Sequence, residues 1–397
     1  MKQEFELLVR ACGLARGLPV RGPAQQSQLP DGFDQANFVR MAVQHKVAST
    51  AYAGLKKLGL RLDAPWAARL KQEAAQTAML RDQIVKEATD VDQLLWSRGI
   101  PSLVLKGPAL SAQLYGDPCI REYTDLDIIV NTNDIESIVG ILGEAGYLPD
   151  EQYINGSNYR KKRSCMIKVG HHVDLWKRGL KFRVELHDRN GWDEEVFRHD
   201  RLDTVFQNVE WITGKGYGFH APCLSDHGVL MLAHGSRHAW CLLIWVLDAA
   251  SFMHSSSDQD LIELMQKINT LGLANLFAVM NEVINTAYPI ERNLVLFFAP
   301  VSRRIQRASS FAFTRLEAGG NNMFTLRDAP DLFFSYILQM SGNFADIGRA
   351  LRKVMRITPE EAKHFPLPRA LHFVYLFLLP FFIIRRLKIT RKVSNAR

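Results

Sequence analysis

Along the chain the apolar positions change period twice. To about residue 98 they recur at helical spacing, through Phe5–Leu14, Phe38–Leu58 and a long stretch from Trp66 to Leu95. Pro30-Asp31-Gly32 and Asp63-Ala64-Pro65 supply breaks and helix starts. Then the pattern shortens. Ser102–Leu105 and Asp125–Val130 are apolar runs of strand length, Pro108–Tyr115 between them suits one helix, and Ile135–Leu142 returns to helical spacing. From Tyr159 to His187 the pattern is strand-like, with runs His171–Trp176 and Lys181–His187 separated by Arg178-Gly179. After about Asn190 a loop region holds Gly214, Gly216 and Gly218, and from Ser225 onward the period is helical again.

This order predicts an α+β protein in four parts. A helical N-terminal region covers 1–98 and a small mixed-sheet α/β domain covers 99–212. A helical domain follows over 213–365, then an apolar and basic segment over 366–397. Composition agrees with a globular chain: 397 residues, 47% hydrophobic and 23% charged. Five scattered cysteines, Cys12, Cys119, Cys165, Cys223 and Cys241, form no CxxC, so neither a disulfide framework nor a structural zinc site is expected. The first ten residues interrupt their apolar positions with charges, unlike a signal peptide. A cytoplasmic setting is expected.

The formal charge of +8 is unevenly placed. No acid follows Glu361, while Lys363, Arg369, Arg385, Arg386, Lys388, Arg391, Lys392 and Arg397 lie beyond it. The rest of the chain holds 41 basic and 41 acidic residues. A neutral body gives no invitation to a nucleic-acid backbone, so no nucleic-acid partner is favoured.

The segment most informative about chemistry runs from Leu105 to Val130, LKGPALSAQLYGDPCIREYTDLDIIV. On a strand Asp125 and Asp127 share a face, with Leu126 and Ile128 packed beneath. Two carboxylates so close repel unless protonated or bridged by cations, and Mg²⁺ binds through one or two carboxylates plus substrate phosphates. If Arg178-Gly179 is a two-residue hairpin turn, Arg183 lies opposite Asp174 and Glu185 opposite His172. Asp174 then has an ion-pair partner, and Glu185, beside His172 and His187, is the better third metal-facing acid, with Asp174 the fallback.

These residues, a Lys-Gly loop before a helix, Asp125-Leu126-Asp127 on a strand and Glu185 on a later one, resemble the DNA polymerase β-type nucleotidyltransferase superfamily. More narrowly, that segment, the VELH run ending at His187, HGSRHAW (234–240) and WVLDAA (245–250) resemble a largely uncharacterised bacterial nucleotidyltransferase-like family. The resemblance covers about Leu103 to Ala250. It implies a nucleotidyltransferase-like domain in which Asp125, Asp127 and Glu185 hold Mg²⁺ (or Mn²⁺) around a nucleoside triphosphate. It further implies that an acceptor hydroxyl attacks the α-phosphorus and pyrophosphate leaves. Lys106 and Gly107 would approach the phosphates. Two departures stand out: Gly107 is followed by Pro108 rather than Gly or Ser, and the interval from Gly107 to Asp125 is longer than usual. Lys106 and Arg121 are the cations that would compensate. A non-catalytic binding or assembly protein on the same fold is the alternative reading.

Leu230 to Met253 reads as one helix whose stripe carries His234, His238, Cys241, Trp245 and Asp248. His234 and His238 have zincin spacing, but Gly235 stands where the catalytic Glu would be, which excludes a metalloprotease. The stripe either hydrogen-bonds within the interior or faces the cleft, with His234, Arg237 or His238 against phosphate or acceptor. Gly214–Gly218 reads as a turn rather than a phosphate loop, and no GxSxG occurs. Ala370–Ile384 is 15 residues without a formal charge, followed at once by Arg385, Arg386, Lys388, Arg391 and Lys392. It is short for a bilayer span and interrupted by Pro380. It either docks on the helical domain or lies, through residues 370–392, on an anionic membrane surface, giving a peripheral location on the inner membrane face.

Overall fold

A computed structural model describes residues 2–23, 25–26, 28–149, 172–188, 207–290 and 302–319, and further on positions 336, 338, 340, 367, 371, 374, 375 and 377–382. The expectations for His171 and for the basic residues after Ile384 lie outside the described residues, as does the side chain of His172. The fold is mixed α/β in the α+β sense, with helical regions around a five-stranded mixed sheet.

The N-terminal periodicity becomes α1 (Gln3–Ala15), α2 (Gln35–Gln44), α3 (Ala48–Leu58) and α4 (Ala64–Ser97). The stretch Phe38–Leu58 is two helices, because the chain turns at Lys46, whose φ is 56°. Asp34 caps α2 by accepting the N–H of Asn37. α4 is 34 residues, about 50 Å at helical rise. Its half from Ile84 onward presents Ile84, Ala88, Val91 and Leu95 at helical spacing to the sheet.

The sheet contains β1 (Ser102–Leu105), β2 (Leu126–Val130), β3 (Tyr147–Pro149), β4 (His172–Lys177) and β5 (Val184–Asp188) in the order β1-β2-β5-β4-β3. β2 and β5 run parallel; the other pairs are antiparallel. Between the strands lie α5 (Gly107–Tyr115) and α6 (Ile135–Glu144). One sheet face, with Val104, Leu126, Ile128, Val184 and Leu186, packs under α4 and α6. The other carries Leu103, Leu105 and Ile129 against Leu230, then Asp127, Glu185 and His187 further along.

The β4–β5 register differs from the two-residue hairpin expected. Glu185 pairs with Asp174, and His187 with His172. The β4–β5 ladder ends at Leu175 and Val184, with the last residues of β4 pairing only with β3, and the register lies two residues from the one expected. A shift of two leaves every side chain on its expected face. The glycine-bearing loop is also more ordered than expected: β6 (Val209–Gly214) and β7 (Tyr217–Pro222) form a hairpin turning at Lys215-Gly216, with Gly216 at φ 84°.

The single helix expected over Leu230–Met253 is two, α7 (Leu224–Arg237) and α8 (Leu243–Ser255). Ala239 and Trp240 take left-handed φ of 49° and 51° between them. Gly235 permits the break, since a Cβ there would stand 2.5 Å from the Trp240 ring. α9 (Asp258–Leu271), α10 (Ala274–Ala287) and α11 (Arg303–Glu317) follow. α1–α3 and α7–α11 share one apolar core, in which Phe5, Phe38, Trp240, Phe252, Phe277 and Tyr288 are buried. The N-terminal helices therefore pack with the helices that follow the sheet, and the sheet sits against them. Near the C-terminus Tyr375 and Phe382 are buried together, while Phe377 and Phe381 are 78% and 60% exposed.

Candidate functional site

Parallel pairing of β2 with β5 sets Asp127 opposite Glu185, and His187, two residues on, shares their face. His187 Nε2 lies 2.6 Å from Asp127 Oδ1 and 3.5 Å from Glu185 Oε2. One ligand atom from each of the three falls within 4.8 Å of the others. Asp174, the register partner of Glu185, extends this row of acids across the sheet. Arg183 joins the two, 2.5 Å from Glu185 and 3.9 Å from Asp174.

Asp125 stands just before β2, half-buried, and feels the charges of Asp127, Lys46, Glu185 and Lys106. Burial and the Asp127 charge raise its carboxyl above the usual carboxylate range. Asp127 is pushed the opposite way: burial works against its charge, but Lys106 and the His187 hydrogen bond outweigh it and hold the carboxyl low. Glu185 is likewise held low, burial being outweighed by the His187 hydrogen bond despite the Asp127 charge. Burial alone would keep the His187 ring neutral, whereas its bonds to Asp127 and Glu185 raise its pKa. Two neighbouring acids whose pKa values are pushed apart in this way on one sheet face make a candidate functional site.

The opposing cations come from the helices. Lys106 immediately precedes α5, with its Nζ 3.9 Å from Asp127 Oδ2. Its backbone is strained, at φ 43° and ψ −130°, and Gly107 follows at φ 26°. His227 on α7 holds that conformation: the Lys106 N–H donates to His227 Nε2 at 3.1 Å. The imidazole proton must then sit on Nδ1, facing Gln113 Oε1 at 2.5 Å. Burial, with the charges of Arg121 and Lys106, pushes the His227 pKa down to about 3, so the ring is neutral.

His234 and His238 stand at the end of α7, their rings 4.9 Å apart and both against Trp245. Arg237 reaches both, Nε donating to His238 Nε2 at 3.2 Å and Nη2 lying 3.5 Å from His234 Nδ1. Burial, then the charges of Lys106, His238 and Arg237, push His234 well below its usual pKa. Arg121 is drawn into the interior, where its Nε donates to Asp248 Oδ2 at 2.7 Å. Its charge still bears on Asp127 and His227.

The family model described as an uncharacterised nucleotidyltransferase matches residues 31–288. The chain belongs to this family. No curated protein matches it. The match spans the acids, the Lys106–Gly107 loop and the histidines of α7. Of the residues gathered around these acids, the sequence singled out Asp125, Asp127, Glu185, Lys106 and Gly107, named His187 only as a neighbour of Glu185, and gave no sign of His227. His187 was legible as the alternate position after Glu185 on an amphipathic strand. His227 carried no local signal, since its role depends on a contact 121 residues away.

Proposed function

We propose that the protein is a divalent-metal-dependent nucleotidyltransferase that moves a nucleoside monophosphate from a nucleoside triphosphate to an acceptor hydroxyl on a small molecule, peptide or protein. The observation that carries this reading is the register match of Asp127 and Glu185 on parallel neighbours, with Asp125 one alternate position before and Lys106 facing them. The chemistry of the donors fits a divalent cation: Asp127 and Glu185 offer carboxylate oxygens that, with His187 Nε2, lie within 4.8 Å of one another, and Asp125 adds a third carboxylate one alternate position before Asp127. Asp125, Asp127 and Glu185 would hold it. A cation held there would supply charge neutralisation for the triphosphate and would acidify the acceptor hydroxyl.

The chain's own groups do the rest. Lys106 and the Gly107 backbone receive phosphate oxygens, with Pro108 costing little because a first-turn N–H has no helical partner. Arg237, His234 and His238 face the triphosphate or the acceptor from α7, and Arg121 adds positive potential from beneath. The acceptor oxygen bonds to the α-phosphorus as the bond to pyrophosphate breaks, and the hydroxyl proton leaves to a site carboxylate.

Asp127→Ala should abolish metal-dependent turnover of radiolabelled nucleoside triphosphates, and Asp125→Ala should do the same. Unchanged activity in the Asp127 variant would sink the proposal. The alternative, a non-catalytic binding or assembly protein, is separated by thermal unfolding with ATP, GTP, CTP and UTP, with and without metal. Stabilisation that requires metal and nucleotide together supports the enzyme; none with any nucleotide supports the scaffold.

A second reading concerns location. Among the described residues no helix is long and apolar enough to cross a membrane. Phe377 and Phe381, one turn apart and exposed, would instead lie in the headgroup boundary, next to the basic residues from Arg385 to Lys392. The test is flotation with anionic liposomes, comparing the full chain with one truncated after Pro366. Equal binding by the two removes the membrane reading.

A further inference from the structure

We propose that His187 is itself a ligand of this metal centre, and that its imidazole makes the site select a first-row transition ion such as Mn²⁺ over Mg²⁺. The inference rests on reading the acid cluster as the transferase's metal site, and it changes the donor set from three carboxylates to two carboxylates and a nitrogen.

Three features of the geometry point there. Glu185 and His187 are alternate residues of β5, so both side chains leave the sheet on the face that Asp127 occupies on β2. His187 Nε2 is nearer to Asp127 and Glu185 oxygens, at 2.6 and 3.5 Å, than a bystander on the rim would be. These are the described residues whose ligand atoms gather at metal spacing, and Asp125 does not join them.

The chemistry then separates the ions. Mg²⁺ is a hard cation that keeps its waters and takes carboxylate and phosphate oxygens, and an imidazole nitrogen adds little to its binding. First-row transition ions accept imidazole beside carboxylate, and nitrogen donors raise their affinity along the series from Mn²⁺ upward. A neutral imidazole offers one lone pair at Nε2, the atom that faces both acids. The competing arrangement keeps a proton on Nε2, so that His187 acts as an internal counter-cation occupying the place of an ion. That arrangement makes the opposite prediction for a variant lacking the ring.

The test uses the full chain without nucleotide, and Mn²⁺ and Mg²⁺ as probes. Mn²⁺ binding is followed by electron paramagnetic resonance, Mg²⁺ by competition, and the ligand atoms by electron spin echo modulation. The wild-type protein should bind Mn²⁺ at least tenfold more tightly than Mg²⁺, with nitrogen modulation in the echo. His187→Ala should weaken Mn²⁺ roughly 10- to 100-fold and erase the modulation. His187→Asp should keep metal binding while bringing the Mn²⁺ to Mg²⁺ ratio down by tenfold or more. Mn²⁺ binding by His187→Ala as tight as wild type, or tighter, overturns the inference. So does a wild-type echo without nitrogen modulation, which needs no variant to fold. Nucleotide turnover is scored separately. Turnover with a Mn²⁺ to Mg²⁺ ratio indifferent to His187 defeats this inference alone, and His187-dependent Mn²⁺ binding without turnover defeats the transferase reading alone.

Discussion

Replacing His227 with glutamine should reverse the order of stability between wild type and variant as pH falls. His227 is buried, and its Nε2 accepts the Lys106 N–H, so the native ring is neutral. Burial, helped by Arg121 and Lys106, holds its pKa at about 3, against roughly 6.5 in an unfolded chain. Between those values the unfolded chain takes a proton that the native state refuses. The stability present above about pH 6.5 is therefore lost as pH falls toward 3, at roughly 1.4 kcal/mol per pH unit. By pH 4.5 the loss is about 3 kcal/mol. Glutamine does not titrate and can still accept the Lys106 N–H, but it gives up the bond to Gln113, at a cost of about 1 kcal/mol. Wild type should lead by about 1 kcal/mol at pH 7.5, the curves should cross near pH 6, and the variant should lead by about 2 kcal/mol at pH 4.5. His45, also buried and held down to about 4, titrates in both proteins and cancels in the difference. Urea unfolding by tryptophan fluorescence at four pH values measures the difference directly. A difference that stays constant with pH would refute the neutral, buried His227 and its hydrogen bond from the Lys106 N–H.

Three further substitutions follow from packing. Gly54→Ala places a Cβ 1.9 Å from the Ala11 carbonyl oxygen, so α1 and α3 must separate; urea midpoints should show a loss of about 3 kcal/mol or more. Asp248→Ala leaves the buried Arg121 guanidinium without its carboxylate and should cost about 3–5 kcal/mol by the same measurement. Gly235→Ala drives a methyl into the Trp240 ring and should cost about 1–3 kcal/mol while altering the near-ultraviolet circular dichroism.

Much of the fold was legible where pattern and local chemistry agree. The Ser102–Leu105 and Asp125–Val130 runs are strands within a residue, and Asp127 and Glu185 share the face that alternation assigned. Legibility ended where long-range packing decides. Arg178-Gly179 has the chemistry of a tight turn, yet the β4–β5 ladder ends at Leu175 and Val184. A period of two preserved the faces through the error, which is why the acids still converge. The break after His238 has neither Gly nor Pro in it. It follows from Trp240 folding back onto Gly235, a contact that no helical periodicity records.

The long interval between Gly107 and Asp125 also finds its reason in packing. The segment after α5 is spent on docking: Glu122 accepts the N–H groups of Ala48, Ser49 and Thr50 at the start of α3, at 3.1, 2.6 and 3.2 Å. Arg16 donates to the Ile120 carbonyl, and Arg121 pairs with Asp248 on α8. Gln113, at the same time, donates to Glu210 and to the Pro222 carbonyl beside β7. The α5 region is thus tied to the N-terminal helices, to α7 and α8 and to the β6–β7 hairpin. Such fastening is what a strained Lys106 requires, because backbone strain of about 1–3 kcal/mol persists only where the surroundings over-determine it. The acids are fixed by sheet register and the facing lysine by this packing, so on the proposed function neither would have to be assembled when a charged ligand arrives. Electrostatic stabilisation is worth most when its dipoles and charges are placed in advance, and here that placement is achieved by contacts far from the acids themselves.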